Sequence, residues 1–150
     1  MIMDLELYMR RALALAAEAA EAGEVPVGCV IVDGTGSVVA EGRNRREATR
    51  SVCGHAELDA LENACRARGD WRLDDCTAFV TLEPCPMCAG AFINARLGTL
   101  VYGAREPQYG SAASVLNLFE EGYPGHTAIF GGVLADESAA LMTAFFEKKR

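Results

Sequence analysis

Thr77-Ala-Phe-Val-Thr-Leu-Glu-Pro-Cys-Pro-Met-Cys-Ala-Gly-Ala-Phe-Ile-Asn-Ala-Arg-Leu-Gly-Thr-Leu-Val-Tyr-Gly103 carries three structural elements in one short run. Its two ends, Thr77–Thr81 and Thr99–Gly103, are rich in β-branched and aromatic residues and read as strands, and Pro86 to Arg96 between them reads as a helix. Strand, helix and strand in that tight order imply a crossover between parallel neighbours.

The pattern extends outward on both sides. From Asp4 to Ala22, apolar residues recur at Leu5, Tyr8, Met9, Ala12, Leu13, Ala16, Ala19 and Ala20, the rhythm of one helix face. Asp4 can cap the start of that helix and Gly23 can end it. Val25 to Val32 is apolar on both alternating faces, as a central strand covered on each side would be. Asp33-Gly-Thr-Gly36 supplies turn chemistry for a hairpin into a second strand from Ser37 to about Gly42. A further helix is predicted from His55 to Ala67, a strand from Thr127 to Phe130, and a last helix from Asp136 on which Leu141, Met142 and Phe145 share a face. Ala104 to Gly125 is too long for a plain loop in a compact domain, so a short helix is predicted from Ala113 to Phe119 and a functional role is expected. No repeat or low-complexity tract interrupts the 150 residues. The reading is one domain, 1–150, of class α/β: a three-layer α/β/α sandwich on a mixed, mostly five-stranded sheet.

Composition narrows the function. Apolar residues make up 51% of the chain and charged ones 23%, and no run of eighteen apolar residues occurs. Met1-Ile-Met-Asp-Leu-Glu6 is not a basic-then-apolar leader. A cytoplasmic protein, neither exported nor spanning a membrane, is expected. Six cysteines in such a chain are better suited to metal or catalytic work than to disulfides, because the cytosol keeps thiols reduced. A net charge of -7 excludes a protein that coats nucleic acid by charge alone. The positive charge is nevertheless local, with Arg43, Arg45, Arg46 and Arg50 in one stretch and Lys148, Lys149 and Arg150 at the end. Such clusters fit either a solvated surface or an RNA contact.

Two motifs carry chemistry: His55-Ala56-Glu57 opening one helix and Glu83-Pro84-Cys85-Pro86-Met87-Cys88 opening the next. A helix N-terminus bears unsatisfied N–H groups and partial positive charge, which lowers a thiol pKa and favours the thiolate a metal needs. The two-residue gap lets Cys85 and Cys88 converge on one ion, with His55 as a third, neutral ligand. Three such ligands suit Zn2+ and leave a fourth position for water, whose pKa the metal brings down to about 7. Glu57 is close to the metal yet free of it, so one carboxylate can take the water proton and return it to a leaving nitrogen. Two other readings of these residues stand beside this one. Cys-Pro-Met-Cys at a helix start also suits a dithiol redox site, and Cys53 as a fourth ligand would close the zinc site and make it purely structural. Cys29, Cys65 and Cys76 read as small hydrophobes and His126 as a surface or structural residue.

His-x-Glu followed by Pro-Cys-x-x-Cys is the signature of zinc deaminases that act on nucleobases. The chain resembles the bacterial tRNA-specific adenosine deaminase family, of cytidine deaminase-like fold. Beyond the zinc motifs the resemblance includes Glu24-Val-Pro-Val-Gly28, Gly42-Arg-Asn44, Trp71-Arg-Leu73, Val80 to Gly90, Tyr102-Gly-Ala104, Gly132 to Glu137 and Phe145-Phe146. It implies zinc on His55, Cys85 and Cys88, with Glu57 as proton shuttle in an attack by zinc-bound hydroxide. It also implies that Asn44, with Val27 and Ala56 in the same pocket, holds a flipped-out base. The implied partners are a tRNA anticodon loop, whose wobble adenosine becomes inosine, and a second copy of the chain in a homodimer. Arg43, Arg45, Arg46, Glu106, Phe145, Phe146, Lys149 and Arg150 are the RNA contacts this implies.

The sequence departs from the family on the substrate side. Ser51-Val52-Cys53-Gly54 stands where Asp-Pro-Thr-Ala is usual, and Glu106 and Gln108 replace Asp and Lys. Gly125 replaces Asn, and Glu147 a basic residue. A deaminase of free guanine, cytosine or a nucleoside is the alternative enzyme, and a silent zinc-stabilised RNA-binding module the non-enzymatic one.

Overall fold

In the computed structural model, which describes residues 3–149, the predicted crossover is present. β3 (Thr77–Leu82) runs into α4 (Pro86–Asn94) and out into β4 (Thr99–Ala104), which pairs parallel to β3 with Phe79 opposite Val101. The remaining elements are α1 (Leu5–Glu21), β1 (Gly28–Val32), β2 (Val38–Arg43), α2 (Arg46–Thr49), α3 (Ala56–Arg68), β5 (Ala128–Phe130) and α5 (Ala135–Lys148). They build one five-stranded sheet in the order β2-β1-β3-β4-β5. β1 is antiparallel to both β2 and β3, and β5 is parallel to β4, so the sheet is mixed as the sequence predicts.

Alternation along the strands sorts their side chains into two cores. Val30, Val32, Phe79 and Val101 face Met9 and Ala12 of α1, while Cys29, Ile31, Ala78, Val80 and Leu100 face α3 and α4 through Ala60, Ala64 and Phe92. α5 packs beside α1, and this completes the three layers. All five residues of β1 are buried, in accord with an apolar run on both faces. Each fully buried Phe, Leu or Ile contributes about 1.5–3 kcal/mol. Asp4 caps α1 by accepting the Leu7 N–H at 3.1 Å. Ser138 of α5 hydrogen-bonds the buried Thr81 carbonyl, tying the last helix to β3.

Most boundaries fall within a residue of the sequence reading, and three places differ by more. β1 starts at Gly28 and not Val25, because Pro26 has no N–H to give a ladder. α4 stops at Asn94, and Arg96 takes a left-handed conformation at φ 56 before β4 begins. The helix predicted for Ala113–Phe119 is replaced by an irregular loop and a 3-10 turn at Leu118–Glu120. The backbone N–H groups of Ala112, Ala113 and Ser114 turn toward the Glu83 carboxylate, which takes the place of helical bonding. α2 was not anticipated. Among the described residues no helix is long and apolar enough to cross a membrane.

Candidate active site

The N-termini of α3 and α4 bring the two motifs together. His55 is the residue before α3 and Cys85 the residue before α4, both in extended backbone and neither spending its side chain on a cap. Pro86 in the first turn of α4 has no N–H to leave unsatisfied. The His55 Nδ1 atom lies 3.7 Å from the Cys85 Sγ and 3.4 Å from the Cys88 Sγ. One donor atom from each of the three residues falls within 4.8 Å of the others. Cys88 is buried and Cys85 half-buried.

The acid–base state of this trio suits a cation. Its hydrogen bond with Cys88, aided by His55, holds the Cys85 thiol down at about 4 against the opposing effect of burial. The Cys88 thiol is pushed up by Cys85, by its own burial and by Glu57. Two sulfurs sharing one proton behave in this way, and both would be free to bind a divalent ion that took the proton's place. His55 is raised by its hydrogen bond to Cys85. Two thiolates and an imidazole form a donor set characteristic of zinc, so the residues present fit that metal. Cys53 is exposed and stands outside the trio, which does not favour a closed four-ligand site.

Glu57 sits one helical step inside α3, only 4% exposed, and burial pushes its carboxyl up to about 7. It lines a cavity of about 770 Å3 together with His55, Ala56 and Cys85. Val27 and Asn44 also line this cavity. The Asn44 Oδ1 accepts the Arg46 N–H at 3.0 Å, which fixes the side chain and leaves its amide NH2 available to a ligand.

The charged residues singled out in the sequence separate here. Arg46, Glu106, Phe145, Phe146 and Lys149 line the cavity. Arg43 and Arg45 do not, and the Arg45 Nε instead pairs with the Asp59 carboxylate at 3.2 Å. Arg150 lies outside the described residues. Two glutamates were not assigned a role from the sequence. Glu24, 1% exposed, accepts the N–H groups of Glu47 and Ala48 at 2.9 and 2.8 Å and so holds α2 beside Asn44. Glu83 grips the loop after β4. An acidic residue in an otherwise apolar neighbourhood is the signal for the first, and its place in the Cys85 motif for the second.

Residues 3–104 match the family model described as the cytidine and deoxycytidylate deaminase zinc-binding region. A tRNA-specific adenosine deaminase from Bacillus subtilis (strain 168) is 42% identical over 146 residues, which cover 97% of this chain and 90% of that protein. The chain belongs to this zinc-binding deaminase family, alongside the tRNA-specific adenosine deaminases. A solved tRNA:A34 deaminase, which edits adenosine to inosine at the wobble position of transfer RNA, has this deaminase fold with a TM-score of 0.86. It is 38% identical, over 89% of this chain and 97% of its own. A guanine deaminase from Bacillus subtilis is 40% identical over 69% of this chain and 66% of its own, with a TM-score of 0.66.

Proposed function

We propose that this protein hydrolytically deaminates the wobble adenosine of a tRNA to inosine. The observation that carries the reading is the buried Glu57 carboxylate beside the His55–Cys85–Cys88 donor set, at the wall of a cavity wide enough for a purine. Likeness to tRNA-specific adenosine deaminases over nearly the whole chain supports the choice of substrate.

In this reading His55, Cys85 and Cys88 hold one zinc ion. When bound, zinc supplies Lewis-acid activation of water at neutral pH. Glu57 takes a proton from the attacking water and delivers it to the departing amino nitrogen, so that water adds at the amino-bearing carbon and ammonia leaves. The N–H groups at the start of α4 steady the charge that develops on the ring. Asn44 donates its free amide to the base, and Val27 and Ala56 supply apolar walls. A base must leave its stack to enter, which a bent anticodon loop permits at low cost. Arg46 and Lys149, which line the cavity, are the proposed phosphate contacts, with Phe145 and Phe146 as aromatic faces for bases. Arg45, already paired with Asp59, contributes less. The protein is proposed as a single domain, a homodimer and a cytoplasmic enzyme, the assembly being open to sedimentation analysis.

A second reading rests on the likeness to a guanine deaminase. The Glu57→Gln variant tests the chemistry common to both. It should keep one zinc per chain while losing turnover about 10²–10⁴-fold. Turnover equal to the parent would overturn Glu57 as proton carrier.

A further inference from the structure

We propose that Glu83 is a positioning residue for the substrate, a buried carboxylate that fixes the loop 106–114 as one wall of the cavity and so sets how tightly RNA is held. The inference rests on the tRNA reading above for its substrate. Its structural half stands independently.

Glu83 is 2% exposed, and its carboxylate is ringed entirely by donors from that loop. Oε1 accepts the Glu106 N–H at 3.1 Å and the Ser114 hydroxyl. Oε2 accepts the N–H groups of Ala112, Ala113 and Ser114 at 3.1, 2.8 and 2.8 Å. Three successive N–H groups converging on one oxygen form an anion-binding concavity. Among the ion pairs of the described residues none involves Glu83, so these backbone donors are what offsets the burial of its charge.

Beside a Ser111 N–H bond to the Pro84 carbonyl at 2.9 Å, this contact is what ties the cavity-facing part of the loop to β3. Glu106 gives its N–H to Glu83 and accepts the Gln108 N–H on its own carboxylate at 2.8 Å. Gly110 donates to the Glu106 carbonyl at 2.8 Å. It approaches so closely that an added Cβ would stand 2.4 Å from the Glu83 carboxyl carbon, which leaves no room for any other residue. Glu106, Gln108 and Tyr109 line the cavity, and Tyr109 is 63% exposed, a free aromatic face for a base beside the reactive one. Glu83 makes no side-chain hydrogen bond to the turn that carries Cys85 and Cys88. Its loss should therefore weaken substrate holding and spare the metal.

The test is steady-state kinetics of zinc-loaded Glu83→Gln on an adenosine-bearing anticodon stem-loop, with zinc content and amide hydrogen exchange measured on the same protein. The amide side chain turns an NH2 toward N–H donors. KM should rise about tenfold or more, the loss of one or two charge-assisted hydrogen bonds, while kcat stays within about threefold and zinc remains one per chain. Exchange at Ala112, Ala113 and Ser114 should accelerate by about tenfold. Should Glu83→Gln fail to fold, Ser114→Ala removes a single donor and should move KM and exchange in the same direction by a smaller factor. Unchanged exchange at these amides overturns the proposal, as does a fall in kcat or zinc at constant KM. A parent protein that ignores the stem-loop would instead overturn the tRNA reading, and exchange together with KM for the free base it does accept would then decide the role of Glu83.

Discussion

Gly42 lies where β2 meets α3, and replacing it with alanine should damage stability and activity together. A Cβ at this position would stand 2.4 Å from the Ala60 nitrogen and 2.5 Å from the Ala56 carbonyl oxygen, both backbone atoms of α3. Ordinary contact begins at 3.4 Å, so α3 must retreat by 3.4 − 2.4 = 1.0 Å. Overpacking costs about 1–3 kcal/mol, and with rigid backbone on both sides the upper end is expected. For a domain of this size that lowers the melting temperature by about 6–12 °C. The helix that retreats also carries Glu57 and starts just after His55, and a displacement of that size at the reacting groups costs about 10²-fold in turnover. Gly90→Ala is the matched control. Nothing lies within 4 Å of its would-be Cβ, and it sits inside α4, so alanine there should add about 0.5–1 kcal/mol. Thermal unfolding by circular dichroism and single-turnover kinetics on both variants check the pair. A Gly42→Ala protein that melts with the parent and reacts at its rate would refute the close helix–strand contact as the constraint on the site.

Removing a proposed ligand should act differently from removing Glu57: Cys88→Ala should lose zinc by elemental analysis and lower stability, and chelation of the parent should reproduce both effects. Phe92, fully buried beneath the sheet, should cost about 3–5 kcal/mol on truncation to alanine, read from urea unfolding. Arg11 bonds the Glu41 carboxylate at 2.7 Å and holds its pKa below the ordinary value. That contribution is present above the unfolded carboxylate pKa and disappears as pH falls through the lowered folded one. Arg11→Met should therefore be about 0.5 kcal/mol less stable near neutral pH and indistinguishable from the parent at strongly acid pH, the pair being exposed.

The sequence made the crossover legible because β3, α4 and β4 each switch periodicity sharply and turn on Pro86 and Gly98. It also disclosed the donor trio, because His-x-Glu with Pro-Cys-x-x-Cys is the signature of zinc deaminases acting on nucleobases. The loop after β4 was illegible for a physical reason. Its conformation is set by long-range contacts, chiefly Glu83, whose donors lie 23 to 31 positions away in the chain, and local propensity at Ala113–Phe119 points to a helix that this carboxylate overrides. Glu24 is the same case, since its two donors, Glu47 and Ala48, are remote in sequence. Charge counting could not separate Arg46, which faces the cavity, from Arg45, which Asp59 occupies.

The measurement that bears most directly on the account is to offer the zinc-loaded protein an adenosine-bearing anticodon stem-loop and, in parallel, free adenine, guanine, cytosine and their nucleosides, scoring ammonia and the deaminated base. The account predicts inosine at the wobble position of the stem-loop and no turnover of the free compounds. Steady release of ammonia from guanine with none from the stem-loop would contradict it.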